Sequence, residues 1–420
     1  MKQPGQKVEQ LGEQLKKTDQ KLGEPSSKFT IESVLRMPST KKHVGRMLCD
    51  FLRTASLYWD ASYGPIVLIL DKESEDDEYF PGKFLNLKLP FKFRLEFEPS
   101  PPNKARFSAV AAKGRRHFGY FQQLYSSFIM DRFVKSSSIA WFDTDIYLTS
   151  VITKDRILRD GKLVVKGMNT FQNQSIVRIW DKQTKAFLGF PSVSDFMSYF
   201  PAFIYTSTIK NCREFIMKRF KRDKWEEAFV DAVEQALDGD VEEWRIGKFP
   251  SPVIILFTYA YIFEHDLYDW HLDLGHESLE KYNQRFVSFP FEVSSKDLSP
   301  ELHFSIHAAY YPTHVEALTT TICHTYLAKG GKSIPEHCKS VKGTNMLLFE
   351  FSVDPYENHF EGWCGGQAGR VLCANMVRDH YMDVSRLLRT NTRLFDTRNI
   401  QIIEKAASNY FETKCLTFQY

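Results

Sequence analysis

Asp143 and Asp145 stand one residue apart in the run Ser138-Ile139-Ala140-Trp141-Phe142-Asp143-Thr144-Asp145-Ile146-Tyr147-Leu148, with apolar residues before and after them. In an extended chain, side chains at i and i+2 point to the same side, so the two carboxylates can converge on one cation. Carboxylate oxygens suit a hard divalent ion, and such an ion suits a diphosphate. A D-x-D pair arises often by chance in a chain of this length, so its context has to carry the reading. Asp71 closes another apolar run, Ile66-Val67-Leu68-Ile69-Leu70. Between Asp71 and the pair lie Lys113, Arg115, Arg116 and His117, whose cations, the forked guanidinium donors above all, suit phosphate oxygens. The competing roles are a turn or cap for the acids and a solvated loop for the basic run.

The elements that would hold these residues follow from the pattern. Lys42 to Trp59 has apolar residues at helical spacing, through Val44, Met47, Leu48, Phe51, Leu52, Ala55 and Leu57. Gly64-Pro65 punctuates, and Ile66 to Leu70 reads as a buried strand. One or two strands are expected over Leu85 to Phe97, a helix over Gly119 to Phe133, and a buried strand over Ile139 to Phe142. Leu163 to Val165 and Ile176 to Trp180 read as further short strands. Ser192 to Arg222 reads as partly helical, split around Phe200-Pro201. Lys224 to Leu237 and Pro252 to Glu264 read as helices, the latter on length alone. Strands alternating with helices, with polar residues at strand ends, predict an α/β fold with a mixed, mainly parallel sheet flanked by helices.

Composition narrows the function classes. Among 420 residues, 55 basic and 52 acidic side chains nearly cancel, so no general nucleic-acid-binding surface is implied. The 35 phenylalanines predict a thick aromatic core. Cys49, Cys212, Cys323, Cys338, Cys364, Cys373 and Cys415 follow neither a disulfide framework nor a zinc ribbon, and buried thiols are expected. One or two disulfides among the four from 323 to 373 would suit a secretory protein. Residues 1–28 are polar, with no apolar run like a signal peptide, and read as a tail. Pro252 to Phe263 is too short to span a bilayer, so no transmembrane segment is expected. The chain as written is expected to be cytoplasmic, with a Golgi or secretory lumen the alternative if the N-terminus is incomplete. Residues 29–299 form the expected main domain and 300–420 a C-terminal portion built onto it.

One rival chemistry shares the letters. Haloacid-dehalogenase phosphatases place D-x-D after a buried strand with the first Asp as nucleophile. Their pattern wants Thr or Val where this chain has Tyr147. That strand is usually the first of the core, and here Ile66 precedes it.

Taken together, Gly119-Tyr120-Phe121-Gln122-Gln123-Leu124-Tyr125, Asp131-Arg132-Phe133 and Trp141-Phe142-Asp143-Thr144-Asp145 resemble a largely uncharacterised family of glycosyltransferase-like proteins with the glycosyltransferase-A fold. Val67 to Ser74, Met197 to Pro201 and Tyr268-Asp269-Trp270-His271 extend the resemblance over roughly residues 40 to 290. It implies a Rossmann-like nucleotide-sugar domain, a sugar-nucleotide donor (most often a uridine diphosphate sugar), Mn²⁺ or Mg²⁺, and a glycan, lipid or protein acceptor. It also implies Asp143 as donor and metal contact, Asp145 as metal ligand and Asp71 near the nucleotide. A late histidine, His303 or His307, would complete the metal site. Acceptor-side acids would come from the Asp238, Asp240, Glu242, Glu243 cluster or from Asp269 and His271, with Trp270 able to stack on a sugar. The alternative is a relative that kept the fold as a sugar- or protein-binding module without turnover.

Overall fold

In the computed structural model of the protein, Ile66–Asp71 is a strand, β2, buried along its apolar length as the sequence predicts. The described residues are 29–72, 75–114, 117–144, 146–148, 151–168, 176–197, 200–237, 250–273, 295–297, 302, 305–307 and 397–411. β2 does not start the sheet. Glu32–Arg36, β1, precedes it and lies at the centre. With β3 (Phe93–Glu98), β4 (Ser138–Trp141) and β8 (Ala202–Tyr205), the order is β3-β2-β1-β4-β8. The pairs β1–β2, β1–β4 and β2–β3 are parallel, and β8 is antiparallel to β4. The expected mixed, mainly parallel sheet flanked by helices is therefore present.

β1 is buried throughout although it begins with Glu and ends with Arg. Glu32 accepts from the backbone amides of Lys135 and Ser136 and pairs with Arg94. Burial alone would raise its carboxyl, and these donors outweigh that and hold it below the usual value. At the other end Arg36 pairs with the buried Glu98 of β3. Gly64 lets the amino ends of β1 and β2 meet, since a Cβ there would lie 2.6 Å from the carbonyl oxygen of Ile31.

The phenylalanines build the expected aromatic core. Phe229, in the helix Trp225–Leu237, lies 5.3 Å from Phe121, 5.5 Å from Tyr125 and 5.8 Å from Phe187, centroid to centroid. These rings come from the helices Phe118–Ser127 and Ile176–Leu188, so one cluster joins three helices. Arg213, in the helix Thr206–Phe220, adds a forked ion pair to Asp131 at 2.6 and 2.9 Å. A second helical layer runs Lys41–Arg46, Met47–Leu52 and Arg53–Tyr58, its middle stretch a π-helical turn. The helix Thr397–Phe411 packs on that run through Ile403 and Ala407. Cys212 is a buried free thiol.

Several elements differ from expectation. Ile176 to Trp180 opens the helix Ile176–Leu188; five apolar-rich residues look like a strand until the spacing is followed to Phe187. Within Leu85 to Phe97 only β3 is extended, and Leu85–Leu87 is a 3₁₀ turn. The segment after Phe200-Pro201 is β8 before it becomes helical. The helices Trp225–Leu237 and Pro252–Phe263 lie where they were expected.

A second sheet, β10-β9-β7-β6, uses Lys296–Asp297, Tyr268–Asp273, Lys162–Met168 and Leu158–Arg159. A two-stranded ribbon pairs β5 (Ile146–Leu148) with β11 (Ser305–His307). Among the described residues no helix is long and apolar enough to cross a membrane. Because Phe229 joins three helices, Phe229→Ala should cost about 3–5 kcal/mol in a urea unfolding titration. A loss under about 1 kcal/mol would show that the cluster can collapse around the gap.

Candidate functional site

Strand order locates the crevice. From β1 the chain moves outward to β2 and β3, then returns to place β4 on the other edge of β1. The carboxyl ends of β1 and β4 are thus the topological switch point, where open α/β sheets bind ligands. Asp143 leaves β4 at that point. Phe142 just before it is buried, its amide donating to the Val34 carbonyl of β1 at 2.9 Å. Its ring packs on Phe51 at 4.9 Å and Trp59 at 5.2 Å. Asp143 itself is half-buried, and its Oδ1 accepts from the Thr144 amide at 2.7 Å. On the far side β5 is fixed by the Leu148 amide, which donates to Thr54 Oγ1 at 2.9 Å. Phe142 and Leu148, on either side of the D-x-D pair in the chain, are thus both anchored.

The pairing of β5 with β11 sets His307 opposite Ile146, one residue beyond Asp145. Ser305 Oγ donates to the Phe200 carbonyl and ties this ribbon to the start of β8.

Asp71 ends β2, one strand over from β1, and is half-buried. Its amide donates to Asp77 Oδ2 at 2.8 Å, while Asp77 Oδ1 accepts from the Ser39 amide at 2.6 Å. Asp77 is completely buried in the helix Glu75–Phe84. Burial raises the nearby Glu98 carboxyl above its usual range, against the opposing pull of Arg36.

A second polar group lies on the second sheet. Alternation along β9 puts Tyr268, Trp270 and Leu272 on one face and Asp269 and His271 on the other. His271 Nε2 and Asp269 Oδ2 are 2.8 Å apart, and Lys296 Nζ donates to Asp269 Oδ1 at 2.7 Å. Burial would raise the Asp269 carboxyl, but Lys296 and His271 hold it below the usual value. In register with His271 stands Lys166 of β7, buried with its amine over the Phe203 ring at 5.9 Å. Burial, then the neighbouring Arg156, push that amine well below the ordinary lysine value.

The structure thus joins Asp269 to His271 and sets Asp143 at the switch point with Asp71 two strand positions away. Lys113 is exposed at the end of the helix Lys104–Lys113. Arg115, Arg116, Asp145, Asp240, Glu243 and His303, and the side chain of His307, lie outside the described residues. Trp270 is corrected: its ring is buried, its Nε1 donates to the His265 carbonyl at 2.9 Å, and it packs on Tyr261, so it belongs to the core. Arg36, Asp77, Glu98, Arg156 and Lys166 were not anticipated. Only Lys166 left a signal, a cation directly after the apolar run Leu163-Val164-Val165. Among the described residues no three His, Cys, Asp or Glu gather as a metal cluster. The described donor at the crevice, the Asp143 carboxylate, has the oxygen chemistry that Mn²⁺ or Mg²⁺ takes.

No protein-family model matches the chain, and no curated protein matches it. Solved structures do align. The apo form of mouse xyloside xylosyltransferase 1 is 12% identical over 64% of this chain and 95% of that one, with a TM-score of 0.32. The mannosyltransferase PcManGT from Pyrobaculum calidifontis, in complex with GDP-Man and Mn²⁺, is 9% identical over 97% and 95%, at 0.28. TarS from S. aureus is 10% identical over 79% and 54%, at 0.26. Likeness at these scores carries no argument, and the crevice stands on its own strand order and side chains.

The ion group around Asp269 gives a signed pH dependence. A carboxyl held below its usual value stabilises the fold above the ordinary range near pH 4, and that contribution disappears as pH falls through the folded-state value. Asp269→Asn should therefore lower Tm at pH 7, and the gap to wild type should narrow steadily below about pH 4. An equal gap at both pH values would remove the ion-pair account.

Proposed function

We propose that the chain is a nucleotide-sugar-dependent glycosyltransferase of the glycosyltransferase-A type, moving a sugar from a nucleoside diphosphate donor, a uridine diphosphate sugar first, to a hydroxyl acceptor. The observation that carries the proposal is the exit of Asp143 from β4 at the β1/β4 switch point, with Asp145 next but one along the chain. The motif resemblance across residues 40 to 290 supports it independently. In this assignment Asp143 and Asp145 would hold Mn²⁺ or Mg²⁺, with His307 the further ligand. The chemistry such an ion would supply is charge neutralisation at a diphosphate leaving group. Asp71 meets the nucleoside, and Lys113, Arg115 and Arg116 are assigned to the phosphates.

We assign acceptor-side acid–base work to Asp269 and His271, with Asp240 and Glu243 as competing acids. A carboxylate at 2.8 Å steadies an imidazole and shares the positive charge it gains on taking a hydroxyl proton. One observation favours the second reading, a sugar- or protein-binding relative without turnover: Asp269 and His271 are both buried. A pair held inside the protein by Lys296 is also what a structural ion group looks like.

Calorimetry with UDP-sugars and GDP-sugars, with and without Mn²⁺, tests the first reading. Binding that requires the metal is expected, and Asp145→Ala should weaken it by more than about tenfold while leaving Tm near wild type. Absence of binding by every donor, with or without metal, removes the enzyme proposal. Metal-dependent binding without donor hydrolysis or transfer would select the module.

A further inference from the structure

Asp77 reaches two backbone amides that belong to different strands. Leaving β1, the Met37 amide still donates to the Ile69 carbonyl of β2 at 3.2 Å, the last parallel contact between the two strands. Pro38 follows, and the Ser39 amide then turns to Asp77 Oδ1 at 2.6 Å. The next residue, Thr40, caps the helical run, its carbonyl accepting from the Val44 amide at 3.0 Å. On the β2 side, the Asp71 amide takes Asp77 Oδ2 at 2.8 Å. One buried carboxylate therefore uses both oxygens to fix the spacing between the exit of β1 and the end of β2.

Those two segments leave the carboxyl ends of β1 and β2 on one side of the β1/β4 switch point, and Asp143 leaves β4 on the other. Hydrogen bonds from amides to an ionised carboxylate are charge-assisted and stronger than neutral ones. Two of them in a fully buried setting suppress the small displacements that would open or close a pocket wall. Buried side chains of this kind act on a ligand through what they hold.

We propose that Asp77 is the positioning residue of the nucleoside end of the crevice: by clamping the Ser39 and Asp71 amides it sets the width of the pocket that receives the donor's base and ribose. This rests on the nucleotide-sugar reading above. The metal end of the crevice, at Asp143, hangs from β4 and is independent of the clamp. Loss of Asp77 should then weaken nucleoside diphosphate binding without changing the Mn²⁺ requirement.

The experiment uses the full chain, UDP and GDP as probes, and Mn²⁺ titrated separately. In Asp77→Asn the amide group keeps one acceptor and turns an N–H toward the other backbone donor. Its affinity for UDP or GDP should fall about tenfold or more, while the Mn²⁺ concentration giving half-saturation stays within about twofold of wild type. Hydrogen exchange at Ser39 and Asp71 should accelerate together. Should Asp77→Asn not yield folded protein, Asp77→Glu, which keeps the carboxylate but shifts it by one methylene, carries the same comparison with a smaller loss. Unchanged nucleotide affinity in a folded variant overturns the clamp and leaves the donor reading intact. Equal loss of nucleotide affinity and of the Mn²⁺ response, with a lower Tm, also overturns it, as that is general destabilisation. Failure of wild type to bind either nucleotide overturns the donor reading and the clamp with it.

Discussion

Because β1 pairs in parallel with β2 on one edge and with β4 on the other, it is enclosed on both edges and both faces. A strand that begins with Glu32 and ends with Arg36 can sit there only if both charges are met inside the protein. Isolated buried charges cost several kcal/mol, so their partners are fixed as firmly as the core. Glu32 draws in Arg94 and the Lys135–Ser136 backbone, which brings the chain back to the amino end of β4. Arg36 draws in Glu98 and ties the carboxyl ends of β1 and β3 across β2. The register of the sheet, and with it the exit point of Asp143, follows from these two pairings as much as from apolar packing.

That same dependence explains what could be seen in the sequence and what could not. β2 and β4 are apolar runs, legible because burial alone defines them. β1 has only Val34 and Leu35 as apolar residues between polar ends, and nothing local marks Arg94 and Glu98 as partners some sixty positions away. The helix Ile176–Leu188 shows the opposite failure, in which a short β-branched opening hides a longer period. Phenylalanine abundance predicts the core without any register, since ring burial is insensitive to it.

Site residues divide along the same line. Asp71 ends β2 and Asp143 follows β4 by two residues, so type and position in the sequence are enough to place them at the sheet's carboxyl edge. Asp77 stands among Glu73, Glu75, Asp76 and Glu78 with nothing local to single it out, and only the fold shows its carboxylate turned inward onto two amides. The π-helical turn Met47–Leu52 carries Phe51 against Phe142, so a helix irregularity bears directly on the residue that precedes Asp143. Such turns shift side chains relative to a regular helix, which suits a place where helix and strand end must meet closely.

The second sheet separates chemistry from packing by alternation. Trp270, flanked by two residues with polar roles, faces away from both of them, because neighbours on a strand cannot share a side. A sugar-stacking role for Trp270 therefore conflicts with an acid–base role for Asp269 and His271 on steric grounds. The ring is committed to Tyr261 and His265, and the pair is committed to Lys296 and the face of Lys166. Burial and the neighbouring Arg156 work against a charge on Lys166, so the ionised form of Asp269 is favoured by Lys296 and His271. The polar contacts of this sheet therefore all lie on the side away from the aromatic packing, and any chemistry here has to be approached from that one side.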